Sequence, residues 1–210
     1  MAKIGVIGAN GRAGSNIVKE AASRGHDVTA IVREASKAPA EAKGVLAKEL
    51  FQLTAEDVNA FDVLVNAVGF FEKTELNVSG GKHLIDILKG SGTRLIVVGG
   101  AGSLYVDPEE KVQLFTTEGF PEMFRPLALS QGQNLADLQA SNGVKWTFVS
   151  PSAEFALGRR TGSYQKGGNR LLTNSKGDSY VSYEDYAIAI VDEIEKPEHV
   201  NERFTVVSER

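Results

Sequence analysis

Short apolar runs alternate along the chain with stretches in which apolar residues recur every three or four positions. The runs predict buried strands, and the recurring pattern predicts amphipathic helices. The predicted strands span residues 3–7, 27–32, 44–46, 62–66, 93–98, 144–149 and 204–207. The predicted helices span residues 11–24, 72–89, 126–141 and 182–195.

Two polar residues have the sequence context of helix N-caps. Thr54 and Ser182 are each followed three residues later by an acid, Asp57 and Asp185. Because an acid at that position can accept a hydrogen bond from the N–H of the cap, both segments predict a capping box at a helix start.

Several predicted strands are almost continuously apolar, which is typical of strands covered on both faces. Their alternation with helices predicts an α/β fold of the Rossmann type, a doubly wound parallel sheet with right-handed crossovers. No internal repeat or long linker divides the chain, so residues 1–210 are expected to form a single domain. Residues 151–181, rich in Gly, Arg, Ser and Asn, predict a small, loop-rich C-terminal lobe on the substrate side.

The composition limits the partners of the chain. Its net charge is −4 and no basic cluster is longer than a pair, which disfavours nucleic acid and anionic membranes. It has no cysteine, which excludes disulfides and thiol chemistry, and its three histidines lie on different predicted elements, so no metal site is expected. Without a membrane-spanning or signal-like segment, a soluble cytoplasmic protein with a small-molecule partner is expected.

A turn with three glycines directly follows the first predicted strand and opens the first predicted helix. Gly8 permits the tight turn, Gly11 lets a pyrophosphate approach the backbone, and Gly14 lets the helix pack on the strand. The pyrophosphate would meet unpaired N–H groups at the helix N-terminus. In its strand–turn–helix–strand context, this G-x-x-G-x-x-G spacing predicts a dinucleotide-binding site rather than an ordinary tight turn.

The residue after the second predicted strand favours NADP(H) over NAD(H). An acid there would bind the ribose hydroxyls of NAD, whereas a cation can pair with the 2′-phosphate of NADP. Arg33 occupies this position, and Arg12 in the glycine turn is a second cation within reach of the same phosphate. The alternative is that Arg33 is a solvated strand end, with Glu34 beside it.

Ligands of open α/β sheets bind outside the carboxyl ends of the strands, near the switch point. The residues after predicted strands three to six are mostly small or polar, so all four strand ends are expected to line the cleft. The cofactor-binding candidates there are Glu49, Leu50, Ala67, Val68, Gly69, Gly100, Ala101 and Pro151. The glycines after strand five are expected to allow close approach of a ligand.

Four segments, the first of them the glycine turn, suggest a known family: GANGRAG, RLIVVGGAGSLYVDP, SPSAEFALGRRTGSYQ and SYEDYAIAIVDEIE. Together they resemble the atypical short-chain dehydrogenase/reductases described as NADH-flavin reductases, which are related to biliverdin reductase B and to NmrA-like regulators. The resemblance covers essentially the whole chain. It implies a Rossmann fold, NAD(P)H binding and reduction of flavin or a similar planar acceptor, and it adds Asn10 and Ala13 to the cofactor-binding set.

The chain departs from classical members of that superfamily on the helix before strand six. Those proteins carry a Tyr-x-x-x-Lys pair there, whereas residues 128–136 contain neither tyrosine nor lysine. Alcohol–carbonyl interconversion through the usual proton relay is therefore not expected. Hydride transfer to a flavin is compatible with this loss, since flavin N5 accepts hydride directly and solvent can supply the proton.

Three functions stay open from the sequence. The first is an NADPH-dependent reductase of FMN, FAD or a quinone-like acceptor. In it, Phe155 stacks on the acceptor ring and Ser103 hydrogen-bonds it, although a core aromatic and a turn serine are the simpler interpretations. Arg159 and Arg160 are either solvated or bind a flavin phosphate. The second function is a non-catalytic, NmrA-like redox sensor that acts through a protein partner. The third is a nucleotide-sugar epimerase or dehydratase, which the small lobe and the missing pair disfavour.

Overall fold

The computed structural model describes all 210 residues and places most strands in one sheet. The strands are β1 (Lys3–Ile7), β2 (Asp27–Val32), β3 (Gly44–Ala47), β4 (Val63–Asn66), β5 (Arg94–Val98), β6 (Lys145–Ser150), β7 (Glu154–Ala156), β8 (Tyr164–Gly167), β9 (Tyr180–Ser182) and β10 (Glu202–Ser208). The main sheet has the order β3-β2-β1-β4-β5-β6-β10-β8. All its neighbouring strands are parallel except β8, which runs antiparallel to β10 at one edge. β7 and β9 form a separate parallel pair.

Helices cover both faces of the main sheet. They are α1 (Arg12–Ser23), α2 (Ala55–Val58), α3 (Glu75–Leu88), α4 (Arg125–Ala140) and α5 (Tyr183–Glu195). On one face α1 packs against α5, and the core there includes Ile17 and Ile190. On the other face α3 packs against α4, around Leu84 and Leu138. This arrangement confirms the predicted doubly wound, Rossmann-type fold. None of the helices is long and apolar enough to cross a membrane.

Every predicted strand and helix is present, and the predicted ends differ from the observed ones by at most three residues. The largest difference is the start of α3. The side-chain amide of Asn77 accepts a hydrogen bond from the N–H of Phe70 and donates to the carbonyls of Phe70 and Thr74. This amide organises residues 70–74 as a loop, so the helix begins at Glu75.

The two predicted capping boxes have different outcomes. Thr54 and Asp57 form the reciprocal pair, with the Thr54 N–H donating to the Asp57 carboxylate at 2.8 Å. Ser182 does cap α5, since its hydroxyl accepts from the Asp185 N–H at 3.0 Å. The Asp185 carboxylate, however, accepts from the N–H and hydroxyl of Thr161 at 2.8 and 2.6 Å. The capping box predicted at Ser182 is therefore wrong, because its acid binds the C-terminal lobe instead.

Residues 151–181 are fixed firmly to the rest of the molecule. β8 extends the main sheet, and β7 and β9 pair with each other. Arg160 donates two hydrogen bonds of 2.9 Å to the carboxylate of Glu20 on α1. Arg159 donates to the carbonyl of Arg210 at the C-terminus. Arg159 and Arg160 are thus engaged within the chain, and the structure does not support a flavin-phosphate role for Arg160.

Candidate functional site

The strand order reverses between β1 and β4, so the carboxyl ends of these strands open the switch-point crevice. Gly8 follows β1 directly, and its N–H donates to the carbonyl of Ile31 at 3.0 Å. Gly8 has a φ of +74°, which favours glycine. A Cβ on Gly8 would lie 2.9 Å from Cγ2 of Val68 and 3.2 Å from the carbonyl oxygen of Ala67. The structure therefore brings the ends of β1 and β4 together, as predicted.

The other two glycines set the position of α1 against the turn. The Gly11 N–H donates to the Gly8 carbonyl at 2.9 Å. A Cβ on Gly14 would lie only 2.2 Å from that same carbonyl oxygen and 3.1 Å from Cα of Ala9. Gly14 thus packs directly against the turn, and there is no room at this position for a side chain.

The N-terminus of α1 is open towards the crevice. The first hydrogen bond of the helix runs from the Ser15 N–H to the Gly11 carbonyl at 2.9 Å. The N–H groups of Arg12, Ala13 and Gly14 therefore have no partner within the helix. No side chain caps them, and the first turn contains no acid. Unpaired donors at the positive end of a helix dipole fit the pyrophosphate of a dinucleotide.

Two cations flank the turn without an acidic partner. Arg33 and Arg12 are exposed, as is Asn10, and neither arginine forms an ion pair. Glu34, the acid beside Arg33, is held instead by Lys37 at 2.7 Å. That hydrogen bond also lowers the pKa of the Glu34 carboxyl. The rim of the cleft next to β2 therefore carries an arginine, Arg33, whose charge no ion pair neutralises.

The segment after β3 forms a short 3₁₀ turn beside the cleft. The Glu49 N–H donates to the side-chain oxygen of Gln52 at 2.8 Å, and the Gln52 N–H donates to the Glu49 carbonyl at 3.0 Å. Leu50 is buried and lies against Gly80 of α3. Of the two predicted contacts here, Glu49 stays accessible on the surface, whereas Leu50 lines an internal cavity next to Val68.

The segment after β4 is ordered by the last residue of the strand. The Oδ1 atom of buried Asn66 accepts from the Val68 N–H at 3.2 Å, and the Ala67 N–H donates to the Ile7 carbonyl at 3.0 Å. Ala67 and Val68 are half-buried, and Gly69 is exposed. All three predicted residues therefore line the crevice edge beside the glycine turn.

The glycines after β5 contact protein rather than open space. A Cβ on Gly99 would lie 2.1 Å from the ring of Phe148, and one on Gly102 would lie 2.4 Å from Cβ of Ala128. A Cβ on Gly100 would lie 1.9 Å from Oε1 of Gln131. The expectation that these glycines make room for a ligand is therefore corrected, because β6 and α4 already fill the space beside them. Gly100 and Ala101 remain half-buried in the loop.

Ser103 does not reach the cleft. It is 5% exposed, and its hydroxyl accepts from the guanidinium of Arg203 at 3.0 Å. Arg203 also donates to the Ser103 carbonyl at 3.1 Å and to Oδ1 of Asn169 at 3.0 Å. The catalytic role predicted for Ser103 is not supported, since this serine joins the β5 loop to β10 and the C-terminal lobe.

Phe155 lies in an aromatic cluster after β6. Its ring centroid is 4.3 Å from that of Tyr183 and 4.6 Å from that of Tyr186. Phe155 is half-buried and packs on the core beneath α5, while Pro151 is buried. The predicted stacking of Phe155 on an acceptor stays a prediction, because its ring already packs against two tyrosines.

A cavity of about 10 Å³, which is room for about one water molecule, lies between α3, α4 and the ends of β4 and β5. Four side-chain amides line it: Asn66, Asn77, Gln131 and Asn134. These residues are not among those predicted from the sequence. The available signal was the three-residue spacing of Gln131 and Asn134, which places both on one side of a helix.

Comparisons with known proteins match the whole chain. The profile of a family described as NAD(P)H-binding matches residues 8–197. The Bacillus subtilis (strain 168) protein YwnB is 56% identical over 210 residues, which cover 99% of each chain.

Solved structures are similar over the same length. A candidate NADH-flavin reductase from Streptococcus pneumoniae TIGR4 is 43% identical, with a TM-score of 0.95 and 100% of both chains covered. A candidate epimerase from Bacteroides thetaiotaomicron is 32% identical, with a TM-score of 0.87, and the match covers 99% of this chain and 97% of that one.

Proposed function

The chain belongs to the NAD(P)H-binding family, and on that premise we propose that it is an NADPH-dependent reductase of flavin or a similar planar acceptor. The observation that carries the proposal is an open dinucleotide turn combined with a helix α4 that has neither tyrosine nor lysine at the cleft. The similarity to the candidate NADH-flavin reductase of S. pneumoniae supports the choice of acceptor.

The residues of the chain mainly bind and orient in this proposal. NADPH, when bound, supplies the hydride, flavin N5 accepts it, and water supplies the proton, so no protein acid is required. The free N–H groups of α1 bind the pyrophosphate, and Arg12 and Arg33 pair with the 2′-phosphate. The crevice at the ends of β4, β5 and β6 holds the two rings at reacting distance, which by itself lowers the barrier.

NADPH oxidation with FMN, FAD and a quinone tests the proposal. We expect saturable turnover with at least one planar acceptor, and a higher kcat/KM with NADPH than with NADH. Binding of NADPH without turnover above the protein-free rate, for every acceptor, would contradict it. The proposal also places the protein in the cytoplasm, where NADPH is available, with a small-molecule acceptor rather than nucleic acid or a membrane as its partner.

A non-catalytic redox sensor is the second candidate, and the loss of the Tyr/Lys pair from α4 favours it. A sensor must bind oxidised and reduced cofactor with different affinities, because only a differential affinity can shift a partner's binding. Calorimetric titration with NADP⁺ and NADPH separates the two functions. An affinity ratio above about tenfold, without turnover of any acceptor, favours the sensor.

An epimerase function is less well supported, although one similar structure is described as a candidate epimerase. Epimerisation needs a side chain that exchanges a proton with the substrate next to the cofactor. The face of α4 nearest the cleft presents the amides of Gln131 and Asn134, which do not titrate.

A further inference from the structure

Two side-chain amides of α4 lie beside the loop that follows β5. Oε1 of Gln131 is 1.9 Å from the point where a Cβ on Gly100 would lie, so the amide rests directly against the backbone of that loop. Both Gln131 and Asn134 line the cavity together with Val98, Gly99 and Asn66, which are at the ends of β5 and β4. Gln131 thus lies on the side of the cleft away from β2 and Arg33, whereas Oδ1 of Asn134 is 2.3 Å from the point where a Cβ on Gly81 of α3 would lie.

Asn134 lacks a hydrogen bond that its burial requires. Asn134 is 6% exposed, and its Oδ1 atom has no partner in the chain. A buried amide oxygen without a hydrogen bond destabilises the fold, and a bound water or ligand is one way to supply the missing donor.

Other polar side chains of α4 are mostly paired, although Oδ2 of Asp137 also has no hydrogen-bond partner. Ser130 is also buried, but its hydroxyl accepts from Nδ2 of Asn77 at 3.1 Å and donates to the Leu127 carbonyl at 2.9 Å. On the outer side of the helix, Gln133 donates to Asp137 at 2.9 Å. Gln131, which is half-buried, makes no side-chain hydrogen bond within the chain.

From this geometry we infer that Gln131 binds the nicotinamide riboside half of the dinucleotide, with Asn134 behind it completing the polar contact through a water molecule. The inference rests on the proposed function. The pyrophosphate at α1 and the 2′-phosphate at Arg33 fix one half of the cofactor, so the other half extends towards the ends of β5 and β6. The riboside there offers two hydroxyls and a carboxamide, which are groups that a neutral side-chain amide can both donate to and accept from.

A neutral side-chain amide at this position can hydrogen-bond the riboside but does not gain or lose a proton near neutral pH. Gln131 can orient the riboside but cannot transfer a proton, which agrees with an acceptor that takes its proton from solvent. Gln131 is accordingly a binding residue in this inference and not an acid or base.

Calorimetric titration with two probes tests the inference. NADPH contains the nicotinamide riboside, whereas adenosine 2′,5′-bisphosphate contains only adenosine with its 2′- and 5′-phosphates. For Gln131→Leu we expect NADPH to bind about three- to tenfold more weakly, which corresponds to one lost hydrogen bond, and adenosine 2′,5′-bisphosphate to bind as in the wild type. Gln133→Leu, on the outer side of the same helix, is the matched control and should leave both affinities unchanged.

Three results would overturn the inference. The first is NADPH affinity unchanged in Gln131→Leu. The second is an equal loss of affinity for both probes, which indicates a general disturbance of the fold. The third is a wild-type protein that binds neither probe, and this result would also overturn the proposed function, whereas the first two leave it standing.

Discussion

At the scale of single residues, Gly14 is the position where the cleft tolerates least change. The atom nearest to a Cβ at Gly14 would be the backbone carbonyl oxygen of Gly8, 2.2 Å away. A backbone atom cannot move out of the way by changing rotamer, as a flexible side chain can. In Gly14→Ala, α1 must move off the turn and its free N–H groups move with it. We expect NADPH affinity, measured by calorimetry, to fall at least about tenfold. The free energy of unfolding in urea should fall by about 1–3 kcal/mol.

Gly132→Ala is the control for this substitution. Gly132 also lies inside a helix, α4, but the nearest atom to its Cβ would be Cβ of Ser103 at 3.6 Å, an ordinary contact. Since alanine favours a helix over glycine by about 1 kcal/mol, this variant should be as stable as the wild type or more so. Equal losses of NADPH affinity in Gly14→Ala and Gly132→Ala would show that the close packing of Gly14 against the turn is not required for binding.

Arg33 is the residue that should separate the two cofactors. It is exposed and has no carboxylate partner, so its full charge is available to a phosphate. A charge-assisted hydrogen bond contributes about 1.5–3 kcal/mol, so the Kd of NADPH should rise about ten- to a hundredfold in Arg33→Gln. The Kd of NADH should stay the same, because NADH has no 2′-phosphate.

Lys19→Gln is the control. It removes an equal charge from an exposed position on α1 and should leave the Kd of both NADPH and NADH unchanged. If Arg33→Gln weakened the binding of NADH as much as that of NADPH, Arg33 would contact a part that both cofactors share. A preference for NADP(H) would then have another origin.

At the scale of elements, one ion-pair network joins α1 to the C-terminal lobe. Glu20 is 5% exposed and pairs with Arg160 of the lobe at 2.9 Å and with Arg24 at 2.8 Å. The hydrogen bond from Arg160 is the main reason that the pKa of Glu20 lies below its ordinary value of 4.5. A lowered pKa in the folded state stabilises the protein above pH 4.5, and this contribution is lost as the pH falls through the folded pKa.

Arg160→Gln should therefore change how stability depends on pH. At pH 7 we expect a loss of about 1 kcal/mol, because Arg160 is more than half exposed and Arg24 still holds Glu20. Below pH 4.5 the difference between the variant and the wild type should shrink, which urea unfolding at a series of pH values would measure.

Arg159→Gln is the adjacent control, since Arg159 donates to a backbone carbonyl and not to a carboxylate. A constant difference between Arg160→Gln and the wild type from pH 7 to pH 3 would mean that Glu20 does not titrate as its contacts indicate.

At the scale of the whole molecule, local patterns predicted the elements, the fold class and the glycine turn. Strands and helices depend on the spacing of apolar residues, and the glycine turn depends on three glycines within seven residues. Short segments of the sequence are therefore enough to predict these elements and the turn. The position of β10 is different. It lies between β6 and β8 in the main sheet, and nothing in its own sequence specifies those neighbours.

The residues that sequence reasoning misjudged depend on contacts between distant parts of the chain. Ser103 looks accessible because it follows a run of glycines, but its hydroxyl is bound by Arg203, which is 100 residues away. Gln131 also depends on such a contact, because its amide lies beside the cleft only where α4 packs against the loop after β5. Such contacts follow from the packing of α4 and β10, which a single sequence does not define.

Anaerobic stopped-flow mixing of the protein–NADPH complex with FMN shows directly whether bound NADPH passes its hydride to a flavin. Absorbance of NADPH and of oxidised FMN would be followed together. We expect both signals to decay at one rate and in equal amounts. This rate should saturate with FMN and exceed the protein-free rate by several orders of magnitude. Decay of both signals at the protein-free rate, although NADPH is bound, would contradict the claim that this cleft transfers hydride to a flavin.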